Sequence, residues 1–279
     1  MRRSSPLGWR PSRVNVRTLL KEVQKLEAQR SSRRRDIPTD RVKFARTLGL
    51  EPDLWQERLL RSDAPRILMN CARQTGKSTA AGVLALHEAL DSPGALVLIL
   101  APAERQAKEL FSKVAGFYHT LGHPIPANSY RKLGVELSNG SRIEALPGTE
   151  KTIRGFSGAA LLIVDEAARV EDGLYYAIRP MLATSGGRLA LLSTPHGKRG
   201  VFFDEWTGGE GWERYEVLAS ECERIPEAFL EEERRSLPAW IYRQEYECSF
   251  EDTEDQLFGY DLVQSSITDE VTPLFGEAS

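Results

Sequence analysis

The sequence predicts an α/β fold with a mainly parallel sheet flanked by helices. Two observations predict it. Residues 67–70, 95–101, 161–164 and 189–192 are short, continuously apolar runs, the signature of strands buried on both faces. Between the first three lie segments of helical pattern, 78–90 and 104–121, long enough to carry crossovers between parallel neighbours.

The bulk numbers narrow the class. A chain of 279 residues can bury one good-sized core with a small appendage. With 41% hydrophobic and 28% charged residues it resembles an ordinary globular protein rather than a disordered one. No apolar run approaches the roughly 20 residues that span a bilayer, so no membrane partner is expected. Met1-Arg2-Arg3-Ser4-Ser5-Pro6 has no apolar stretch behind its arginines, which argues against a secretory signal. Cys71, Cys222 and Cys248 are widely spaced, without a Cys-x-x-Cys pair, and suit a reducing cytoplasm better than a disulfide framework or zinc site.

Charge is unevenly spread. Residues 1–46 hold fourteen Lys/Arg against four Asp/Glu, while the rest of the chain is net acidic. A basic arm before an acidic body fits contact with nucleic acid, and equally fits a solvated tail. Within the arm, Leu19, Leu20, Val23 and Leu26 stand at helical spacing. Ser31-Ser32-Arg33-Arg34-Arg35 then reads as a flexible basic linker. The organisation expected is therefore a basic helical arm and linker over 1–38, one compact domain over 39–250, and an acidic tail over 251–279. Residues 133–146 read as a hairpin, because Val135 and Leu137 alternate before Asn139-Gly140 and Ile143 follows.

The chemistry-bearing turn is Cys71-Ala72-Arg73-Gln74-Thr75-Gly76-Lys77-Ser78, between an apolar strand and a helix. Backbone N–H groups at such a helix start face phosphates, and the helix dipole adds to the attraction. Lys77 would reach the β- and γ-phosphates, and the Ser78 hydroxyl would ligate Mg²⁺. Cys71 stands where this phosphate-loop pattern asks for its first glycine. Leu161-Leu162-Ile163-Val164 ends in Asp165-Glu166. Asp165 at the strand's end would hold the metal shell, and Glu166 would polarise the attacking water. Either motif alone also reads as an ordinary turn or a solvated loop. Their separation, about 85 residues with the strand at 95–101 between, favours an inserted-strand P-loop NTPase of the RecA-like type.

In this order the motifs resemble phage terminase large subunits, the motors that package viral DNA. Pro52-Asp53-Leu54-Trp55-Gln56 matches their Trp-Gln adenine segment, and a phosphate loop with an arginine and no first glycine accounts for Arg73 and Cys71. Ala101-Pro102-Ala103-Glu104-Arg105-Gln106-Ala107 looks like their helicase-like segment. Thr152-Ile153-Arg154-Gly155 precedes Asp165-Glu166-Ala167-Ala168, and Ser193-Thr194-Pro195 resembles their coupling motif. The resemblance spans about residues 45–260.

It implies ATP as substrate with Mg²⁺, held by Trp55, Gln56, Arg73, Gln74, Thr75, Gly76, Lys77, Ser78, Thr79 and Thr194, with Ser78 and Asp165 on the metal. Glu166 and Lys77 would be catalytic. Arg73 or Arg154 would stabilise the transferring phosphoryl group, Arg154 in a neighbour's site. Gln56 could pair with adenine through its amide, as glutamine does in base readout. Trp55 fits core packing as well as a wall for the base, and Ser-Thr-Pro is also a common strand-ending turn.

The implied partners are double-stranded DNA, a small terminase subunit, a capsid portal and a homo-oligomeric ring, in the host cytoplasm. No nuclease activity is expected, since little chain follows Phe250 and the acids Glu251, Asp252, Glu254 and Asp255 read as a solvated linker. Two alternatives remain at this stage, a DEAD-box-like helicase or remodeller and a non-catalytic assembly module from a prophage remnant.

Overall fold

The computed structural model describes residues 37–148, 153 and 155–252. The basic arm with Arg33, Arg34 and Arg35, the segment around Thr152 and Arg154, and the tail from residue 253 lie outside the described residues.

Helix α1 (Arg41–Thr47) opens the body, its first N–H groups capped by Asp40. It is followed by α2 (Leu54–Arg61), β1 (Arg66–Cys71), α3 (Lys77–Asp91), β2 (Leu96–Ala101) and α4 (Glu104–Thr120). Next come β3 (Ala127–Arg131), β4 (Gly134–Leu137), β5 (Arg142–Pro147), β6 (Leu161–Asp165) and α5 (Asp172–Ile178). β7 (Arg188–Ser193), α6 (Gly200–Thr207), β8 (Glu213–Val217), α7 (Glu227–Ser236) and α8 (Ala239–Tyr246) complete it.

Among the described residues the strands form one sheet in the order β3-β4-β5-β2-β6-β7-β1-β8. All pairs from β5 to β8 are parallel, and β3-β4-β5 is an antiparallel margin. The expected fold class holds.

The strand side chains alternate between two cores, as the pleat requires. Ile67, Met69, Val97, Ile99, Ile163 and Leu192 enter the core covered by α1, α2, α3 and α4. Leu68, Leu98, Leu100, Leu162, Val164 and Leu191 enter the opposite core, closed by Tyr175 and Ile178 of α5 and Phe202 of α6. Both faces are buried, so the central strands β1, β2, β6 and β7 read as largely apolar runs.

The hairpin closes through Asn139-Gly140, with Val135 opposite Ile143 and Gly140 at φ 85°. β5 then pairs in parallel with β2, which ties the hairpin into the main sheet.

In the sheet β7 separates β1 from β6, while β2, which lies between them along the chain, stands on the far side of β6. Order along the chain does not dictate order across a sheet built by crossovers. One expectation needs correction: Glu251 is no solvated linker residue. Its side chain is largely buried and paired with Arg243 at 2.6 Å, while Phe250 packs on Phe202 and Phe203. The Arg243 guanidinium holds the Glu251 carboxyl below its usual range.

Candidate nucleotide site

The site forms where β1, β6 and β7 end side by side. Cys71 is the last residue of β1 and pairs with Val217 of β8 in regular extended register, so its position makes no demand for glycine. The left-handed backbone of the turn falls on Gln74 (φ 63°) and Gly76 (φ 94°). Gly76 caps α3, and no side chain there binds the first N–H groups of the helix. Those donors and the positive end of a 15-residue helix remain available to an anion. Thr75 is fully buried and donates its hydroxyl to the Ala72 carbonyl at 2.9 Å, so its side chain shapes the turn from inside. Ser78 and Thr79 lie in the first turn of α3 and line the cleft above it.

The central contacts converge on Lys77. Its Nζ donates to Thr194 Oγ1 at 3.1 Å and lies 3.7 Å from Glu166 Oε1. Thr194 in turn donates to the Cys71 carbonyl at 3.0 Å. β7, lying between β1 and β6, is what puts Thr194 against the lysine. Glu166 follows β6 with φ 52°, a left-handed conformation that is costly for a residue with a Cβ and that concentrates at functional positions. Arg169 grips its other oxygen at 3.1 Å. Asp165 is buried beside it and accepts only from the Glu166 N–H, at 3.0 Å, among the described residues. Burial first, and the adjoining Glu166 second, push the Asp165 carboxyl up to about 6, against the pull of Lys77. A buried carboxylate in that condition gains from a nearby cation.

These residues floor a cleft of about 470 Å³, closed on its other side by Gln106, Glu109 and Lys113 of α4. A second cleft of about 450 Å³ abuts it, lined largely by apolar groups such as Leu50, Pro52, Leu60 and Val83. Gly76, Thr79 and Arg224 belong to both. One polar half and one apolar half, meeting at a helix start, have the size and character of a small-molecule site.

The structure brings together Lys77, Ser78, Asp165, Glu166 and Thr194, with Gln74, Gly76 and Thr79 beside them. Gln56 lines the apolar half, buried, its Nε2 3.5 Å from the Gly76 carbonyl and its Oε1 accepting from Asp53 N–H at 3.0 Å. Trp55 does not wall either cleft; it packs against the main core, a base-stacking role corrected by the direction in which α2 presents it. Arg73 sits at the rim, paired with Glu245 of α8, and its backbone N–H donates to the Glu245 carbonyl at 3.0 Å. Arg154 lies outside the described residues.

Sequence reasoning missed several charged residues here. Gln106, Glu109 and Lys113 repeat at one helix face, and Arg169 stands three residues from Glu166, so spacing could have found Glu109, Lys113 and Arg169. Nothing local marks Arg224 or Glu245, which arrive from far along the chain.

A family profile described as terminase large subunit, T4likevirus-type, N-terminal, matches residues 68–265. The chain belongs to this terminase family. A terminase large subunit of Thermus virus P23-45 is 29% identical over 263 residues, covering 81% of this chain and 54% of its own length. That of Escherichia phage T5 is 26% identical, covering 67% and 44%. The chain thus spans about half the length of the curated terminases it matches. The solved large terminase ATPase domain of Thermus phage P74-26 superposes with a TM-score of 0.66 at 24% identity, over 75% of this chain and 98% of that one. A large terminase from a thermophilic bacteriophage, solved in complex with ADP, gives 0.59 at 11% identity, over 76% and 53%. At these identities the solved structures speak for the fold. Among the described residues, no helix is long and apolar enough to cross a membrane.

Proposed function

We propose that this chain is the ATP-hydrolysing, DNA-translocating motor portion of a packaging terminase. The observation that carries the reading is the convergence of Lys77, Thr194 and Glu166 at the open N-terminus of α3, beside a buried Asp165. The adenine occupies the apolar cleft with its edge toward Gln56, and the triphosphate lies over Gly76, Lys77 and Ser78. Ser78 and Asp165 hold Mg²⁺, which neutralises charge on the phosphate oxygens when bound; the raised Asp165 carboxyl fits that duty. Glu166 takes a proton from the attacking water, and Lys77 steadies the γ-phosphoryl oxygens. Thr194, bonded to the lysine, registers the loss of the γ-phosphate and passes it to the segment after β7.

For Arg73 to meet a phosphate it must leave Glu245, so Arg73 and Arg154 both stand as candidates for the stabilising arginine. Double-stranded DNA, a small terminase subunit, a capsid portal and a ring of like subunits are the partners proposed from the family, in the host cytoplasm. No nuclease activity is proposed for this chain. A domain over about 39–250, between a basic arm and an acidic tail, remains the proposed organisation.

The test is ATP turnover measured as phosphate release. Lys77→Ala and Glu166→Gln are expected to abolish it, and unchanged hydrolysis in both would end the proposal. A DEAD-box-like remodeller would instead unwind a duplex without translocating along it, and nucleotide binding without turnover would favour an assembly module.

A further inference from the structure

Arg224 lies in the loop between β8 and α7, more than 140 residues from the phosphate turn, and still reaches it. Its Nη1 and Nη2 pair with Asp53 Oδ1 and Oδ2 at 2.6 and 2.7 Å, a two-pronged fork. The same Nη2 donates to the Thr75 carbonyl at 3.0 Å. Asp53 begins α2, the helix that carries Gln56 in the apolar cleft, and Thr75 precedes Gly76 in the polar one. Arg224 therefore stitches the two halves together. It lines both, and lies 3.3 Å from the point where a Cβ on Gly76 would be.

A guanidinium has five N–H donors, and three are engaged here. The Nε–H and one Nη1–H have no protein acceptor among the described residues, and with the side chain 49% exposed they are open to solvent or a ligand. A fixed, planar cation with spare donors, at the junction of an apolar base cleft and a phosphate turn, matches one part of a nucleotide, the phosphate joined to the sugar.

We propose that Arg224 is a nucleotide-binding residue that contacts the sugar-proximal phosphate, held in place by Asp53 and the Thr75 carbonyl. The assignment rests on the nucleotide reading given above. It gives the loop before α7 a direct part in binding, whereas Lys77 serves the outer phosphates.

Calorimetry on the whole chain tests it, with ADP and adenosine as ligands and Arg224→Ala, Arg224→Lys, Asp53→Ala and Lys77→Ala as variants. Arg224→Ala is expected to weaken ADP by roughly 10- to 100-fold, the loss typical of a charge-assisted hydrogen bond, and adenosine by less than about twofold. Arg224→Lys keeps the charge without the fork and should recover part of the loss, which also guards against a misfolded alanine variant. Asp53→Ala should cost ADP less than about threefold, because the phosphate contact survives.

If Asp53→Ala reproduces the whole loss, or adenosine weakens as much as ADP, Arg224 is only a structural latch and the inference fails. Wild-type ADP affinity in Arg224→Ala overturns it as well. A wild-type chain that binds no ADP, or a Lys77→Ala variant that binds it as well as wild type, would instead strike the nucleotide reading on which the inference rests.

Discussion

The polar half of the cleft takes its floor from three strand ends and one turn, whereas the apolar half is assembled from α1, α2, α3 and a loop almost 150 residues further on. The polar half is strained and charged. Gln74 and Glu166 both hold left-handed backbone, and Asp165 is buried with its carboxyl raised to about 6. The apolar half places the buried amide of Gln56 among mostly apolar groups. The difference teaches a division of labour. Under the proposed function, chemistry falls where backbone geometry is unusual, and selectivity where side chains merely pack.

Substitutions should separate the halves. The largest effect is expected for Glu166→Gln, with kcat lowered by about 10²–10⁴ and nucleotide affinity nearly kept. Steady-state hydrolysis beside ADP calorimetry reads this, and a variant that loses affinity but keeps kcat would merge the two halves functionally.

Asp165→Asn should lose Mg²⁺-dependent turnover to a similar degree, yet melt higher than wild type in chelator at neutral pH. Removing a buried charge whose carboxyl is raised from 3.8 to about 6 relieves roughly 2–3 kcal/mol of destabilisation. Equal or lower melting would show that the polar half does not store this penalty.

Gln56→Ala tests the other half. It should leave kcat within about twofold, raise KM for ATP by about 10-fold, and erase most of any preference for ATP over GTP. An unchanged KM with intact base preference would remove Gln56 from base reading.

The smallest effect concerns His87, outside both halves. Its Nε2 lies 3.0 Å from the Pro38 carbonyl, and burial, its largest influence, lowers its pKa below 6.5. A base depressed in the folded state contributes stability that is present above pH 6.5 and lost as pH falls through and below that value. Wild type should therefore lose stability between about pH 7 and 5 more steeply than His87→Gln in denaturant titrations. Parallel slopes would contradict it.

The polar half was largely legible in the sequence because each of its parts is a short local pattern at the end of an apolar run. Gly76-Lys77-Ser78 and Asp165-Glu166 needed no knowledge of the sheet. The order of strands was not legible, since β7 and β2 are equally apolar and only packing decides which separates β1 from β6. β3 and β8 were missed for another reason. Both lie at sheet edges, where Ala-Asn-Ser-Tyr-Arg and Glu-Arg-Tyr-Glu-Val carry the polar and charged groups that keep edges from pairing elsewhere. Arg224 and Glu245 could not be foreseen, because their roles depend on where α7 and α8 return. Of the two roles the sequence left open for Trp55, its position fits core packing, because a helix turns the neighbouring Trp55 and Gln56 to different sides.

The stretch around Glu245–Cys248 supports the phosphate turn from behind. The Glu245 carbonyl accepts from the Arg73 N–H and that of Cys248 from Asn70 Nδ2, while the Cys248 thiol donates to the Val217 carbonyl. The shortest fragment able to fold a working nucleotide pocket must therefore keep its carboxyl side to about Asp252. Trimming at the close of β8 would spare every recognisable motif and still leave the turn at 71–78 without its scaffold.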